Sequence, residues 1–336
     1  MNYTILLRPH RNRRYQEGVV RLSRAELLNL LARQGIEAAV TANARPGGDF
    51  LDFACEGLTE AALDGLSVHS HLQLLCQARE DGSLMPLRGE APALLGEELA
   101  YVPKYKGKTN EAFTMHLINQ ALCAARLPEG RPITLLDPMC GRGTTLFQAV
   151  NRGFWATGAE IHAAEIEECD GYFRRYLETG RFKHARRKGS LTCQGRGAPV
   201  TEFTFARDAA AFKAGDTRSL RLIACDGTKL PELLKKERFS LIVADLPYGV
   251  QHAPGEQGKK TAPFEEVVAK SVAAWKRLLA PGGAMALAFN VNTLPADRVR
   301  GLMEEAGLEV MCGEGYDGLA HFVEQAITRD LAVARA

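Results

Sequence analysis

The stretch Leu135-Leu136-Asp137-Pro138-Met139-Cys140-Gly141-Arg142-Gly143-Thr144-Thr145 decides the fold. An apolar run ending in an acid, then two closely spaced glycines, then a helix-compatible segment to Asn151 reads as buried strand, tight turn and helix. This is the opening unit of a doubly wound parallel sheet, which gathers its ligands at the carboxyl ends of the strands. The alternation continues downstream. Strands are expected at Trp155 to Ala159, Leu222 to Cys225, Leu241 to Ala244, Ala284 to Asn290, Leu308 to Cys312 and Ala320 to Thr328. Helices are expected at Phe264 to Leu279, closed by Pro281-Gly282-Gly283, and at Ala296 to Ala306. The reading is an α/β, Rossmann-like, doubly wound, seven-stranded sheet over residues 109–330.

Residues 163–221 interrupt that pattern. Between Gly171 and Gly197, Arg174, Arg175, Arg181, Lys183, Arg186, Arg187, Lys188 and Arg196 face a single acid, Glu178, with Tyr172, Phe173, Tyr176 and Phe182 among them. We read a basic insertion. Upstream, Tyr101-Val102-Pro103-Lys104-Tyr105-Lys106-Gly107-Lys108 likewise interleaves cations with tyrosines. Lys104, Lys106, Lys108, Arg174, Arg175, Arg186, Arg187 and Lys188 are the candidate contacts to a polyanion, since cations track phosphates and aromatics stack on bases.

Residues 1–80 carry a different text. Tyr3 to Leu7 suggests a strand, and a basic loop follows through Arg21. Ser23-Arg24-Ala25-Glu26 matches a capping box opening a helix with Leu27, Leu30 and Leu31 on one face and Gly35 at its end. Strands at Ile36 to Thr41 and Asp49 to Cys55, a helix at Thr59 to Leu66 and a strand at Val68 to Cys76 complete the split βαβ order of a small ferredoxin-like α+β domain. Residues 81–108, with Pro86, Gly89, Pro92 and Pro103, read as the linker.

Bulk properties exclude other classes. The 336 residues, 46% hydrophobic and 24% charged, suffice for two folded domains, and a net charge of +2 does not itself argue for nucleic acid. The eight cysteines are scattered, without metal or redox spacing, and the eight histidines show no metal-like pattern, so no metal is expected. No apolar run approaches a membrane span, and a soluble, cytoplasmic protein is expected.

The strand ends carry the chemistry. Gly141 and Gly143 let the backbone approach a ligand, with Asp137 placed to fix the turn or meet a cationic group. Glu160, 23 residues beyond Asp137, stands where an acid accepts ribose hydroxyls, and Asp226 could accept an adenine amino group. Leu146 occupies the position of a third dinucleotide-type glycine, and no Gly-Lys-Ser/Thr occurs, so a nucleoside ligand without phosphates fits better. Pro138, Met139, Cys140, Thr144, Ile161 and Gly227 complete this candidate cofactor set.

Asp245-Leu246-Pro247-Tyr248 suits methyl transfer to an exocyclic amine. The lone pair of such an amine is delocalised into the ring, and the Asp245 carboxylate with the Leu246 carbonyl can draw its hydrogens out of plane. Pro247 would hold that carbonyl and Tyr248 would stack on the base. A pyrimidine-C5 mechanism would need a cysteine nucleophile, and Cys140 inside the turn is read as packing.

Taken together, Asp137-Pro138-Met139-Cys140-Gly141-Arg142-Gly143-Thr144 and Asp245-Leu246-Pro247-Tyr248-Gly249 resemble the THUMP-associated RNA methyltransferases, which include tRNA guanine-N2 enzymes. The resemblance covers residues 101–330 and implies S-adenosylmethionine as cofactor and tRNA as partner. It also implies that Thr109, Asn110 and Phe113 begin a helix touching the methionine end of the cofactor. No stretch remains for a full THUMP domain. Two other functions stay open: a DNA adenine-N6 or cytosine-N4 methyltransferase, and a non-catalytic RNA-binding protein of the same fold.

Overall fold

The computed structural model describes residues 1–10, 13–103, 105, 108–193, 196–247 and 263–336. The chain begins with β1 (Asn2–Leu7), α1 (Arg13–Arg33), β2 (Thr41–Arg45), β3 (Gly48–Ala54), α2 (Glu60–Leu66), β4 (Leu72–Ala78) and β5 (Leu84–Arg88). The strands form an antiparallel sheet in the order β2-β3-β1-β4-β5. Alternate residues of the inner strands, such as Ile5 and Leu7 or Leu51 and Phe53, with Leu72 and Leu75 on either side of a register shift in β4, bury one face against Leu27, Leu30, Leu31, Leu63 and Leu66 of the two helices.

Three expectations for this region are corrected. Residues 84–88, expected in the linker, pair with β4 as a fifth strand. The second strand occupies residues 41–45 rather than 36–41, because the hairpin turns at Pro46-Gly47, where Gly47 adopts φ +105°. The first helix begins at Arg13, so the basic segment is helical from that residue on and Ser23 and Glu26 lie in mid-helix. Tertiary packing overrides the capping signal there: a Cβ on Gly18 would come within 2.8 Å of His321 Cβ, and Glu26 is fully buried.

The second unit runs α3 (Glu98–Tyr101), α4 (Glu111–Ala124), β6 (Thr134–Asp137), α5 (Thr144–Asn151), β7 (Trp155–Glu160), α6 (Ala163–Thr179), β8 (His184–Cys193), β9 (Arg196–Phe205), α7 (Ala209–Lys213) and β10 (Arg218–Ala224). It continues through α8 (Leu230–Leu233), β11 (Phe239–Asp245), α9 (Phe264–Lys276), β12 (Leu279–Asn290), α10 (Ala296–Glu305), β13 (Glu309–Val310), β14 (His321–Glu324) and β15 (Ile327–Arg335). These strands build one ten-stranded sheet, β13-β15-β12-β11-β6-β7-β10-β9-β8, with β14 paired to β15. The run β12-β11-β6-β7-β10 is parallel, and both flanks are antiparallel. Near-continuous apolar text explains the central position of β11 and β12, whose residues are buried on both faces.

Ten strands replace the expected seven for two local reasons. The stretch 320–328 divides into β14 and the start of β15, and the basic segment contributes the β8–β9 hairpin at the sheet edge. The interruption is also shorter than 163–221. Ile166, Cys169, Phe173 and Leu177 form a buried stripe at helical spacing, which makes 163–179 an ordinary crossover helix.

Helix α4 lies between the sheet and α1. Phe113, Leu117, Ile118 and Ala121 belong to the sheet-side core, while His116, Asn119 and Gln120 are buried polar residues toward the N-terminal unit. Glu26 of α1 joins the two. It accepts from Ser70 N at 2.8 Å, Ser70 Oγ at 2.5 Å, His116 Nδ1 at 2.8 Å and Asn119 Nδ2 at 2.6 Å. Burial alone would raise this carboxyl; His69, His116 and Ser70 outweigh it and hold it well below the usual carboxylate range.

Candidate active site

Strand order reverses between β6 and β11, which opens the crevice where ligands sit in such sheets. Asp137 closes β6 and Asp245 closes β11, on adjacent parallel strands.

The glycine turn is held by its own bonds and by bonds to β7. Asp137, 2% exposed, accepts from Met139 N at 3.0 Å, and Gly143 N donates to Cys140 O at 2.8 Å. A backbone bond to the next strand, Cys140 N to Ala159 O at 2.9 Å, helps fix the turn against β7. Gly143 adopts φ +92°, and a Cβ there would lie 2.6 Å from Cys169 Sγ, so glycine is required sterically as well as conformationally. Gly141, at φ +48°, differs: a Cβ would meet nothing within 4 Å, so this residue borders open space. Leu146, at the place of a third glycine, packs against Gly158, where a Cβ would come 2.5 Å from Leu146 Cδ1. The strand supplies the small residue that lets helix and sheet approach.

Burial pushes the Asp137 carboxyl up to about 7, with Glu160 and Asp245 adding to the shift against hydrogen bonds from Met139 and Thr145. Burial also raises the Cys140 thiol well above its usual value, and its side chain packs in the core. Pro138 is buried and Met139 half-buried.

Glu160 Oε2 accepts from Gly141 N at 3.2 Å and Oε1 from His162 N at 2.9 Å, which ties the end of β7 to the turn. Next to it Ile161 is 47% exposed, an apolar surface beside an acid. Asp226 accepts from Thr228 N at 2.9 Å and Thr228 Oγ1 at 2.8 Å, opening the short turn Gly227–Lys229.

Asp245 is held from outside its own strand. Thr109 Oγ1 donates to Asp245 Oδ2 at 2.5 Å, and Arg329 Nη2 lies 4.0 Å from the same oxygen. Leu246 is buried and its N donates to Ala288 O at 2.8 Å. Pro247 is half-buried, and Tyr248 lies outside the described residues.

Two cofactor candidates are engaged within the protein itself. Phe113 is fully buried, with the Arg329 guanidinium 4.5 Å above its ring and His321 at 5.2 Å, so it belongs to the core under the site. The Asn110 side chain is engaged as the α4 N-cap, accepting from Phe113 N at 3.0 Å. Thr144 is buried too, and its Oγ1 shares a 3.0 Å hydrogen bond with Tyr105 OH. Sequence reading missed Tyr105 in this role, along with Gly158 and Arg329. All three act across the chain, and only the buried-strand context of 327–335 could have flagged the arginine.

The basic candidates separate into groups. Lys104 and Lys106 lie outside the described residues. Lys108 is turned inward, donating to Ala100 O at 2.7 Å and pairing with Glu111. Arg186 pairs with Asp170 and lies over Phe203 at 5.7 Å, and Arg174 pairs with Glu178 at 3.1 Å. Arg175, Arg187 and Lys188 are exposed. Among the described residues, no cluster of three metal-ligating side chains occurs, and no helix is long and apolar enough to cross a membrane.

No family model and no curated protein matches the chain. Solved structures similar to it include a TehB-like SAM-dependent methyltransferase from Corynebacterium glutamicum, at 16% identity and TM-score 0.38, covering 70% of this chain and 91% of that one. The rRNA methyltransferase aviRa from Streptomyces viridochromogenes is similar at 15% identity and TM-score 0.42, over 72% of this chain and 91% of that one. A precorrin-6y C5,15-methyltransferase from Geobacter metallireducens is similar at 11% identity and TM-score 0.37, over 69% and 91%.

Proposed function

We propose that this chain is an S-adenosylmethionine-dependent methyltransferase acting on an exocyclic amino nitrogen of a nucleobase, guanine N2 in tRNA being the substrate its motifs favour. The observation that carries the reading is the meeting of two acids at the switch point, Asp137 in a glycine turn and Asp245 on the adjacent strand end.

The residues around the turn fit a cationic nucleoside without phosphates. Gly141 borders open space, Asp137, Glu160 and Asp226 supply acceptors, and the one cation of the turn, Arg142, is paired with Glu165 at 2.7 Å. Asp137, buried, would fix the turn through Met139 N, while Glu160 would meet the ribose hydroxyls, Ile161 the adenine face, and Asp226 with Gly227 the adenine amino group. When bound, the cofactor supplies a methyl on sulfonium sulfur: the amine nitrogen's lone pair forms the N–C bond while the C–S pair leaves with sulfur.

Asp245 does the work on the other reactant. Its carboxylate accepts a hydrogen of the amino group, so the nitrogen lone pair is less committed to the ring and the positive charge developing on nitrogen meets an anion. The same acceptor can take the amine proton or pass it to water. Leu246 presents its carbonyl from a backbone anchored by Leu246 N to Ala288 O, and Pro247 restricts the chain beyond it.

We read the N-terminal unit as a ferredoxin-like domain with one added strand, followed by a Rossmann-like methyltransferase domain whose sheet carries an extra hairpin. Exposed Arg175, Arg187 and Lys188 are the remaining described candidates for phosphate contact. A base in a stem must be extruded to reach Asp245.

The test is transfer of labelled methyl from S-adenosylmethionine to total tRNA and, in parallel, to duplex DNA, followed by nucleoside mass spectrometry. N2-methylguanosine from tRNA is the expected product. N6-methyladenine or N4-methylcytosine from DNA would overturn the RNA assignment, and failure of both, with no cofactor binding by calorimetry, would overturn the enzymatic reading.

A further inference from the structure

Strand β15 lies beside β12, with Leu331 opposite Ala288 and Arg329 opposite Asn290. Ala288 in turn neighbours Asp245. Side chains alternate along a strand, and Leu331 packs in the same cluster as Val243, Ala288 and Phe113. Arg329, two residues from Leu331, therefore projects to the α4 face, as does Asp245, two residues beyond Val243. The topology thus carries a cation from the C-terminal strand to the carboxylate at the switch point.

The side chain of Arg329 is 5% exposed. A guanidinium at that depth is costly unless its charge is answered. The Phe113 ring answers part of it from 4.5 Å, and the Asp245 carboxylate lies 4.0 Å away. The adjacent His321 imidazole is pushed down to about 4, burial being the main cause and Arg329 a contributor, so it brings no second positive charge near neutral pH. Thr109 Oγ1 and Arg329 both address Oδ2 of Asp245, one from the start of α4 and one from β15. A hydrogen bond from Thr109 and the charge of Arg329 thus bear on the same oxygen from two sides and bias the orientation of the carboxylate.

We propose that Arg329 is a positioning residue for Asp245: from behind the carboxylate, and together with Thr109, it sets the orientation in which Asp245 receives the amino group of the base. This rests on the role given to Asp245 above. Arg329 touches neither reactant. It acts through Oδ2 and supplies the counter-charge when a bound base excludes water from the crevice.

A merely structural arginine, clipping β15 to α4 through Phe113, would change stability and lower every activity alike. The test separates the two with Arg329→Gln and Arg329→Lys, read in single-turnover methyl transfer to tRNA, in cofactor calorimetry and in the background of Asp245→Asn. For Arg329→Gln we expect a rate loss of about tenfold to a hundredfold, as for a misoriented catalytic group. Cofactor Kd and tRNA KM should stay within a few-fold, and Arg329→Lys should recover much of the rate. In the Asp245→Asn background the same Gln substitution should cost less than about twofold, since interacting residues are non-additive. Equal losses in both backgrounds, or a wild-type rate in Arg329→Gln, would overturn the proposal. If Arg329→Gln does not fold, the lysine variant decides: a tRNA KM raised with kcat unchanged contradicts a positioning role. A wild-type rate in Asp245→Ala would instead sink the reading beneath it.

Discussion

The glycine turn and the end of β11 sit on neighbouring strands, yet they are built in opposite ways. The turn combines bonds within a few residues, from Met139 N to Asp137, Gly143 N to Cys140 O and Phe147 N to Gly143 O, with bonds to the adjacent strand β7, from Cys140 N to Ala159 O and from Gly141 N to Glu160. Asp245 is held by Thr109, 136 residues earlier, and by Arg329 from the last strand. One is a local motif; the other exists only when α4, β11 and β15 are assembled. Much of a glycine turn can thus be encoded in a dozen residues, whereas the orientation of the Asp245 carboxylate depends on the whole second unit and, through α4, on the N-terminal one.

The comparison can be broken first at its long-range side. Glu26 of α1 takes two hydrogen bonds from α4, through His116 and Asn119, and two from Ser70, and Glu26→Gln should cost about 3 kcal/mol of stability, as expected for a disrupted buried charge network. Denaturant melts at pH 7 check this. Because the folded carboxyl lies below its ordinary 4.5, its stabilisation is present above that pH and fades as pH falls, so the gap between wild type and variant should narrow in acid.

At the local side, Gly143→Ala should destabilise by roughly 1–3 kcal/mol, since it combines a positive φ with a clash on Cys169 Sγ. Gly141→Ala should cost only about 1 kcal/mol from its positive φ, because open space surrounds the added methyl. Cofactor affinity should nevertheless fall in Gly141→Ala, as the methyl enters the space left for the ligand. Calorimetry beside thermal melts separates the two variants, and unchanged affinity in Gly141→Ala would move the ligand away from the turn.

A smaller effect concerns Asp137. Its folded value of about 7 lies above the ordinary 3.8, so the folded state holds a proton that the unfolded chain releases. Its contribution to stability is full below 3.8 and is lost as pH rises through about 7. Asp137→Asn should therefore gain Tm over wild type, by roughly a few degrees, between pH 5 and pH 8. A constant difference across that range would contradict the buried, protonated acid.

Legibility in the sequence follows the same division. Asp137 to Thr145 could be read because strand, acid and positive-φ glycines are local signals, and the apolar runs of β11 and β12 announced a parallel sheet. The α1 start could not be read, because Ser23 and Glu26 form a sound local capping box that packing against β14 and α4 overrides. Phe113 and Lys108 carried residue types suited to a ligand, and only the fold shows one under Arg329 and the other on Glu111. The division of 320–328 into two strands was hidden because the turn at Gln325-Ala326 has neither glycine nor proline.

The most direct test of the account is calorimetric titration of S-adenosylmethionine into Asp245→Ala beside the wild-type protein, using samples whose methyl transfer to tRNA is measured in parallel. Both proteins should bind the cofactor with affinities within a few-fold, while the variant loses turnover by about a hundredfold to a thousandfold. Cofactor binding lost together with activity would contradict the separation of the turn from the strand end, and so would turnover that survives the substitution.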